Sequence, residues 1–209
     1  MNAEKEDLSE GVWIEEIDNA ALTEFEKHQT AFQRGFVNIM PYKTIFPKSF
    51  LSYEKQIHDF EVREDDVYVV TFPKCGTTWT QEMVWNICNG CDFEKAKSVP
   101  LTKRMPFMEI SGLIKDNLVA AMPEEAKAAM PEAADSVTNA NNMPRSEPRL
   151  LKTHLSYDML PRQVREKKPK IVYVTRNPRD AVVSFYNHWK ALCGFTGKYI
   201  FWSVWINNY

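Results

Sequence analysis

The stretch from Val67 to Gly90, VYVVTFPKCGTTWTQEMVWNICNG, constrains the chain most, because it reads as strand, tight turn and helix in immediate succession. Val67, Tyr68, Val69, Val70, Thr71 and Phe72 are all β-branched or aromatic without polar alternation, the composition of a strand covered on both faces of a parallel sheet. Pro73 ends the ladder. Beyond the turn, Trp79, Met83 and Ile87 recur at helical spacing with Val84 and Cys88 beside them, which predicts an apolar helix face, and Gly90 is a C-terminal stop. A helix therefore starts at about Gly76 or Thr77.

A strand that feeds a helix through a Gly-containing turn aims free backbone N–H groups and the positive end of the helix dipole at one point, which suits a phosphate. Lys74 adds a full positive charge there, and Thr77 and Thr78 add hydroxyl donors. The order is not that of an ATP or GTP loop, in which four residues separate two glycines and a Lys-Ser/Thr pair follows. Here the lysine precedes the only glycine of the turn. Taken alone, the turn is also compatible with a plain strand-turn-helix unit carrying a surface lysine.

At 209 residues and 44% hydrophobic composition the chain suits one well-buried domain, 1–209, better than two. Its 26 Lys plus Arg against 28 Asp plus Glu, a net charge of −2, give no general attraction to nucleic acid or to an anionic membrane, so any polyanion site is local. Residues 1–30 are acidic and read as an N-terminal extension without an export signal, which makes the cytoplasm the expected compartment. Cys75, Cys88, Cys91 and Cys193 are too scattered for a disulfide framework. Cys88 and Cys91 form a C-x-x-C that closes a helix, where a redox pair normally opens one, and no second pair completes a zinc site. Free thiols are expected, and no metal.

Two further strand exits carry polar side chains. Arg149 to His154, RLLKTH, is a short apolar run ending in polar residues at its carboxyl end, where open parallel sheets hold their ligands. Lys170 to Thr175, KIVYVT, repeats the composition of the first strand and is followed by Arg176. Asn177 then reads as an N-cap, Pro178 as the first helical residue and Asp180 as a dipole complement. Val182, Phe185, Tyr186, Trp189 and Cys193 form that helix's apolar face and Gly194 its stop. Between the strand units, Phe93 to Pro148 reads as short helices and a polar loop.

The three segments TFPKCGTTW, LLKTHLSYDMLP and KIVYVTRNPRDAVVSFYNHW, in that order, resemble the cytosolic sulfotransferases, which use 3′-phosphoadenosine 5′-phosphosulfate (PAPS) as donor. The resemblance implies an α/β fold, a P-loop-type parallel β-sheet flanked by helices, with the C-terminal part of the family fold missing. It implies that Lys74, Gly76, Thr77, Thr78 and Trp79 handle the 5′-phosphosulfate and adenine, and that Arg176 with Ser184 holds the 3′-phosphate. Cys75 stands where a serine is common and can still contribute its backbone N–H. His154 matches the family's general base and Lys152 the lysine beside it, while Phe46, Phe50 and Tyr53 become candidate liners of a pocket for a small hydroxyl acceptor.

The family pattern continues past the Arg-Asn-Pro-Arg-Asp helix to a late Arg-Lys-Gly-x-x-Gly motif and a dimerisation segment that this sequence lacks, which implies a monomer, uncovered apolar sheet surface and weakened hold on the 3′-phosphate. The aromatic-rich residues 197–209 read as a non-cognate tail. Three readings follow: a PAPS-dependent sulfotransferase, a truncated inactive fragment with weak nucleotide binding, and a magnesium-dependent P-loop nucleotide kinase.

Overall fold

The computed structural model describes residues 8–17, 35–114, 124–125 and 135–193. The expectations for residues 1–7 and 18–34, for the tail at 197–209 and for Gly194 lie outside these.

Trp13–Glu16 (β1), Phe36–Met40 (β2) and Thr44–Pro47 (β3) form an antiparallel sheet in the order β1-β2-β3. The acidic start is therefore not all extension. Ile14 turns inward onto the core while Trp13 and Glu15 face out, and the strand is tied down by Glu16 to the Lys48 ammonium at 2.8 Å. Ser9 donates its backbone N–H to the buried Glu54 carboxylate at 2.8 Å. The backbone ladder to β2, from Trp13 opposite Met40 to Glu16 opposite Val37, makes this part of the acidic run an edge strand, a pairing that composition alone does not show.

The second sheet holds the site. Val67–Thr71 (β4) is its centre, paired in parallel with Leu150–Thr153 (β5) on one side and Lys170–Val174 (β6) on the other. Every residue of β4 is buried, as its unbroken apolar run requires. Tyr68 and Val70 enter a core with Ile39, Phe50, Ile57, Phe60 and Leu151, whereas Val67 and Val69 face a second cluster with Val84, Trp85, Met105 and Leu150. With about 1.5–3 kcal/mol for each large apolar side chain buried, two such layers outweigh any single polar contact in the sheet.

The helices that pack on these sheets are Leu51–His58 (α1), Thr77–Cys88 (α2), Phe93–Ser98 (α3), Leu101–Arg104 (α4), Ile110–Leu113 (α5), Ser136–Asn141 (α6), Val164–Lys167 (α7) and Pro178–Cys193 (α8). No described helix is long and apolar enough to cross a membrane. Asn177 caps α8 as expected, accepting from the Arg179 N–H at 3.0 Å through its side-chain oxygen.

Of the apolar face assigned to α2, Val84 is buried but the Trp79-Met83-Ile87 stripe is not. Trp79, Met83 and Ile87 are 79%, 55% and 74% exposed, and α2 buries Thr77, Thr80, Gln81, Val84 and Trp85 instead. Both sets obey helical spacing; the buried one packs Val84 and Trp85 into the cluster with Val69 and Met105 and adds polar bonds. Thr77 is hydrogen-bonded to Thr71 at 2.7 Å, and the Gln81 amide reaches the Met105 carbonyl at 3.4 Å. Arg104 of α4 completes the anchoring, clasping Glu82 at 2.7 and 2.9 Å while its guanidinium stacks over Trp85. On β6, Ile171 and Tyr173 are also exposed.

Candidate active site

Because β4 lies between β5 and β6, the three carboxyl-terminal strand ends are neighbours, and the side chains that follow them share one edge. After β4 the turn runs through Lys74, with φ 67°, and Gly76, with φ 104°. A left-handed lysine carries backbone strain of about 1–3 kcal/mol, which the surrounding contacts must hold in place. One such contact is Arg176 from the β6 exit, whose guanidinium donates to the Lys74 carbonyl at 3.2 Å. Gly76 supplies the N-cap of α2 with no side-chain cap bond, so the first amides of the helix have neither a preceding turn nor a side chain to accept from them. A Cβ at Gly76 would meet nothing within 4 Å, so Gly76→Ala is expected to cost only its backbone strain, about 1–2 kcal/mol, read as a lowered urea midpoint.

Cys75, half-buried in the same turn, has its thiol pushed up by burial, with Arg176 opposing the shift. Thr78 and Trp79 are exposed at the start of α2, whereas Thr77 is buried. Ser184 is half-buried on α8. Cys88 and Cys91 are exposed free thiols, as expected.

At the β5 exit, His154 turns back toward β4. Its Nδ1 lies 2.7 Å from the Thr71 carbonyl and 3.1 Å from the Thr71 hydroxyl. A carbonyl can only accept, so Nδ1 carries the proton and Nε2 carries the lone pair. The Thr71 hydroxyl in turn bonds Thr77 at 2.7 Å, which joins the imidazole to the first turn of α2. Burial holds the His154 pKa down at about 3, the Lys152 ammonium adds to this, and the bond to Thr71 opposes it. The imidazole is neutral at physiological pH.

Sequence reasoning missed four participants. Phe107 lies under the Lys152 ammonium, 3.6 Å from its ring centroid, and meets the His154 ring edge-on at 5.1 Å. His188 on α8 is held below its ordinary pKa by partial burial and by the Lys74 and Lys152 charges, and it acts on His154 in turn. Thr71 makes the bonds just described. Glu109 is fully buried and accepts from the His154 backbone N–H at 2.5 Å and from the Thr153 hydroxyl at 2.8 Å. A histidine three residues after Phe185 was the one legible hint, since Phe185 packs edge-on against Phe72 at the end of β4. The suggested acceptor liners Phe46 and Phe50 are instead core residues, 8% and 1% exposed and stacked on each other at 4.2 Å.

The sulfotransferase domain family matches residues 64–203, from just before β4 to beyond α8. The chain belongs to the sulfotransferase family. It is similar to luciferin sulfotransferase of Photinus pyralis, 37% identical over 171 residues, and to sulfotransferase 1E1 of Homo sapiens, 35% identical over 147 residues. These alignments cover 80% and 70% of this chain but 45% and 43% of the relatives, so the chain spans less than half of their length. Among solved structures, retinol dehydratase in a complex with retinol and PAP superposes with a TM-score of 0.77 at 24% identity, over 92% of this chain and 60% of that one. That likeness establishes the fold: the expected sulfotransferase-like α/β architecture with a flanked parallel sheet. With the family decided, the nucleotide-kinase reading falls.

Proposed function

We propose that this sulfotransferase-family chain transfers a sulfuryl group from PAPS to the hydroxyl of a small phenol, alcohol or steroid-like acceptor. The observation that carries the reading is the His154 tautomer: with Nδ1–H committed to Thr71, Nε2 is left as a proton acceptor within the field of the Lys152 charge. His154 is the general base, while Lys74 and Lys152 neutralise charge on the sulfuryl oxygens and the departing phosphate. The amides from Gly76 to Thr78 suit the 5′-phosphosulfate, whereas the Cys75 N–H, expected to contribute, donates to the Phe72 carbonyl at 3.3 Å; Trp79 offers an exposed ring to the adenine, and Arg176 with Ser184 holds the 3′-phosphate. Relatives of this fold support the ligand classes, since retinol dehydratase is described with PAP alongside retinol or androsterone.

Burial is the main cause of the low His154 pKa, and the Lys152 charge that adds to it is one an anionic donor would offset. Donor binding therefore raises the basicity of His154 when an acceptor proton must be removed.

A second reading, a fragment that binds nucleotide without catalysis, is favoured by the exposed Trp79, Met83, Ile87 and Tyr173 side chains. Calorimetry with 3′-phosphoadenosine 5′-phosphate (PAP) tests the binding half of the proposal. Arg176→Ala is expected to weaken PAP about ten- to a hundredfold, the loss of a charge-assisted bond of about 1.5–3 kcal/mol. No heat at millimolar PAP from the unaltered chain would remove donor binding and activity together.

A further inference from the structure

The carboxylate of Glu109 has no role in the reaction just proposed, yet it is buried to 1% exposure directly behind the base. Its two oxygens are divided between consecutive residues of β5 and its exit. Oε2 accepts from the Thr153 hydroxyl at 2.8 Å and Oε1 from the His154 backbone N–H at 2.5 Å. The Thr153 hydroxyl oxygen then accepts from the Leu155 N–H at 3.1 Å, so one carboxylate fixes three successive residues. Its support is rigid. Met108 donates to the Lys152 carbonyl and the Lys152 N–H donates to Pro106, each at 3.0 Å, which lays residues 106–108 alongside β5.

We propose that Glu109 is a positioning residue for the base: its carboxylate holds the Thr153–Leu155 turn so that the His154 ring meets Thr71 and presents Nε2 to the acceptor. This rests on the sulfotransferase reading for its effect on rate, but not for the geometry. A glutamine would not serve equally: its oxygen could still accept from the His154 N–H, but its NH2 would reverse the bond to the Thr153 hydroxyl, which already accepts from Leu155, and no charge would assist either bond. Only a carboxylate presents acceptors on both oxygens. Burying that charge is costly unless both bonds are made, so the residue type is explained by the turn it holds.

The arrangement carries a pH signature. Burial pushes the Glu109 carboxyl up to about 7, opposed by the bonds from His154 and Thr153 and by the Lys152 ammonium, the charged group facing it from β5. The titratable groups beyond are His154, held near 3, and His188 of α8, held below its usual value. As pH falls through about 7, Glu109 takes up a proton and the bond to the His154 N–H changes from charge-assisted to neutral. The acid limb of kcat/KM, which reports the donor-free chain, then belongs to Glu109 and not to the base.

The test compares the unaltered chain with Glu109→Gln in two readouts. In the first, kcat and KM with PAPS and a phenol are followed against pH, with PAP affinity measured alongside. Glu109→Gln is expected to lower kcat about tenfold or more, to leave PAP affinity within about twofold, and to lose the acid limb. Titration of the donor's own phosphates is common to both proteins and drops out of the comparison. In the second readout, the backbone amide proton of His154 is followed by NMR without turnover. It is expected to move upfield as pH falls through about 7 in the unaltered chain and to stay pH-independent in Glu109→Gln.

An unaltered chain whose His154 amide ignores pH overturns the proposal, as does a variant with unchanged kcat and an intact acid limb, or a parallel loss of PAP affinity. A chain that transfers no sulfuryl group refutes the proposed activity instead, and the amide titration still decides the role of Glu109. Should Glu109→Gln not fold, the amide titration of the unaltered chain decides alone.

Discussion

Replacing His154 by alanine is expected to lower kcat about 10²- to 10⁴-fold while PAP affinity stays within about threefold. The split follows from where the imidazole is held. Its Nδ1–H is bound to the Thr71 carbonyl at 2.7 Å, its ring edge rests against Phe107, and the turn amides and Arg176 lie on other strand exits. Removing the ring removes the proton acceptor and leaves the cationic turn in place. Because burial and Lys152 keep the pKa near 3, the free imidazole is unprotonated across the working pH range, and acidification to pH 6 does not imitate the substitution. A fall in PAP affinity matching the fall in kcat would show that His154 belongs to the nucleotide site instead.

The second large effect concerns stability and the opposite end of the sheet. Arg149 and Asp66 are 1% and 0% exposed and form a two-pronged pair, Nε to Oδ1 at 2.8 Å and a terminal nitrogen to Oδ2 at 2.7 Å. The guanidinium also donates to the Glu61 carbonyl at 2.7 Å and stacks over Phe60, while Asp66 accepts from the Arg63 N–H at 2.8 Å. Backbone bonds from Val67 to Arg149 and from Lys170 to Asp66 place this pair where β4, β5 and β6 begin. Asp66→Asn leaves a buried guanidinium without its counter-charge and is expected to cost about 3–5 kcal/mol. At about 2–4 °C per kcal/mol for a chain of this size, Tm falls by roughly 6–20 °C, measured by circular dichroism. The double variant Asp66→Leu, Arg149→Met should recover much of that loss, because no uncompensated charge remains. A single variant within about 1 kcal/mol of the unaltered chain would refute the assignment.

The strand-turn-helix unit and both later strand exits were legible because local chemistry and tertiary context agree there. A β-branched run can be satisfied only between two layers, and β4 is buried on both faces. Asn177-Pro178 is a start signal that nothing in the fold contradicts. The α2 stripe failed for the converse reason. Trp79, Met83 and Ile87 were the most apolar set, but the helix packs Val84 and Trp85 into the cluster with Val69 and Met105 and adds hydrogen bonds from Thr77 and Gln81, which hydrophobic periodicity does not register. Glu109 was invisible because its partners lie 44 and 45 residues away, and a lone acid among MPFMEI carries no spacing signal. Phe46 and Phe50 show that aromatic content near a site does not separate pocket walls from core.

Burial also explains why two neighbours at the site titrate in opposite directions. It disfavours whichever form is charged, so it lowers the imidazole of His154 and raises the carboxyl of Glu109. The site thus keeps a neutral base over a carboxyl that ionises near neutrality, both organised by the exit of one strand.

The most direct measurement is transfer of label from 35S-PAPS to a simple phenol by this chain, run beside His154→Ala. Labelled ester from the unaltered chain, reduced at least about a hundredfold by the substitution, is the result expected under the proposal that Lys74, Lys152, His154 and Arg176 serve one nucleotide. PAP binding without any labelled product, or equal product from both chains, would contradict it.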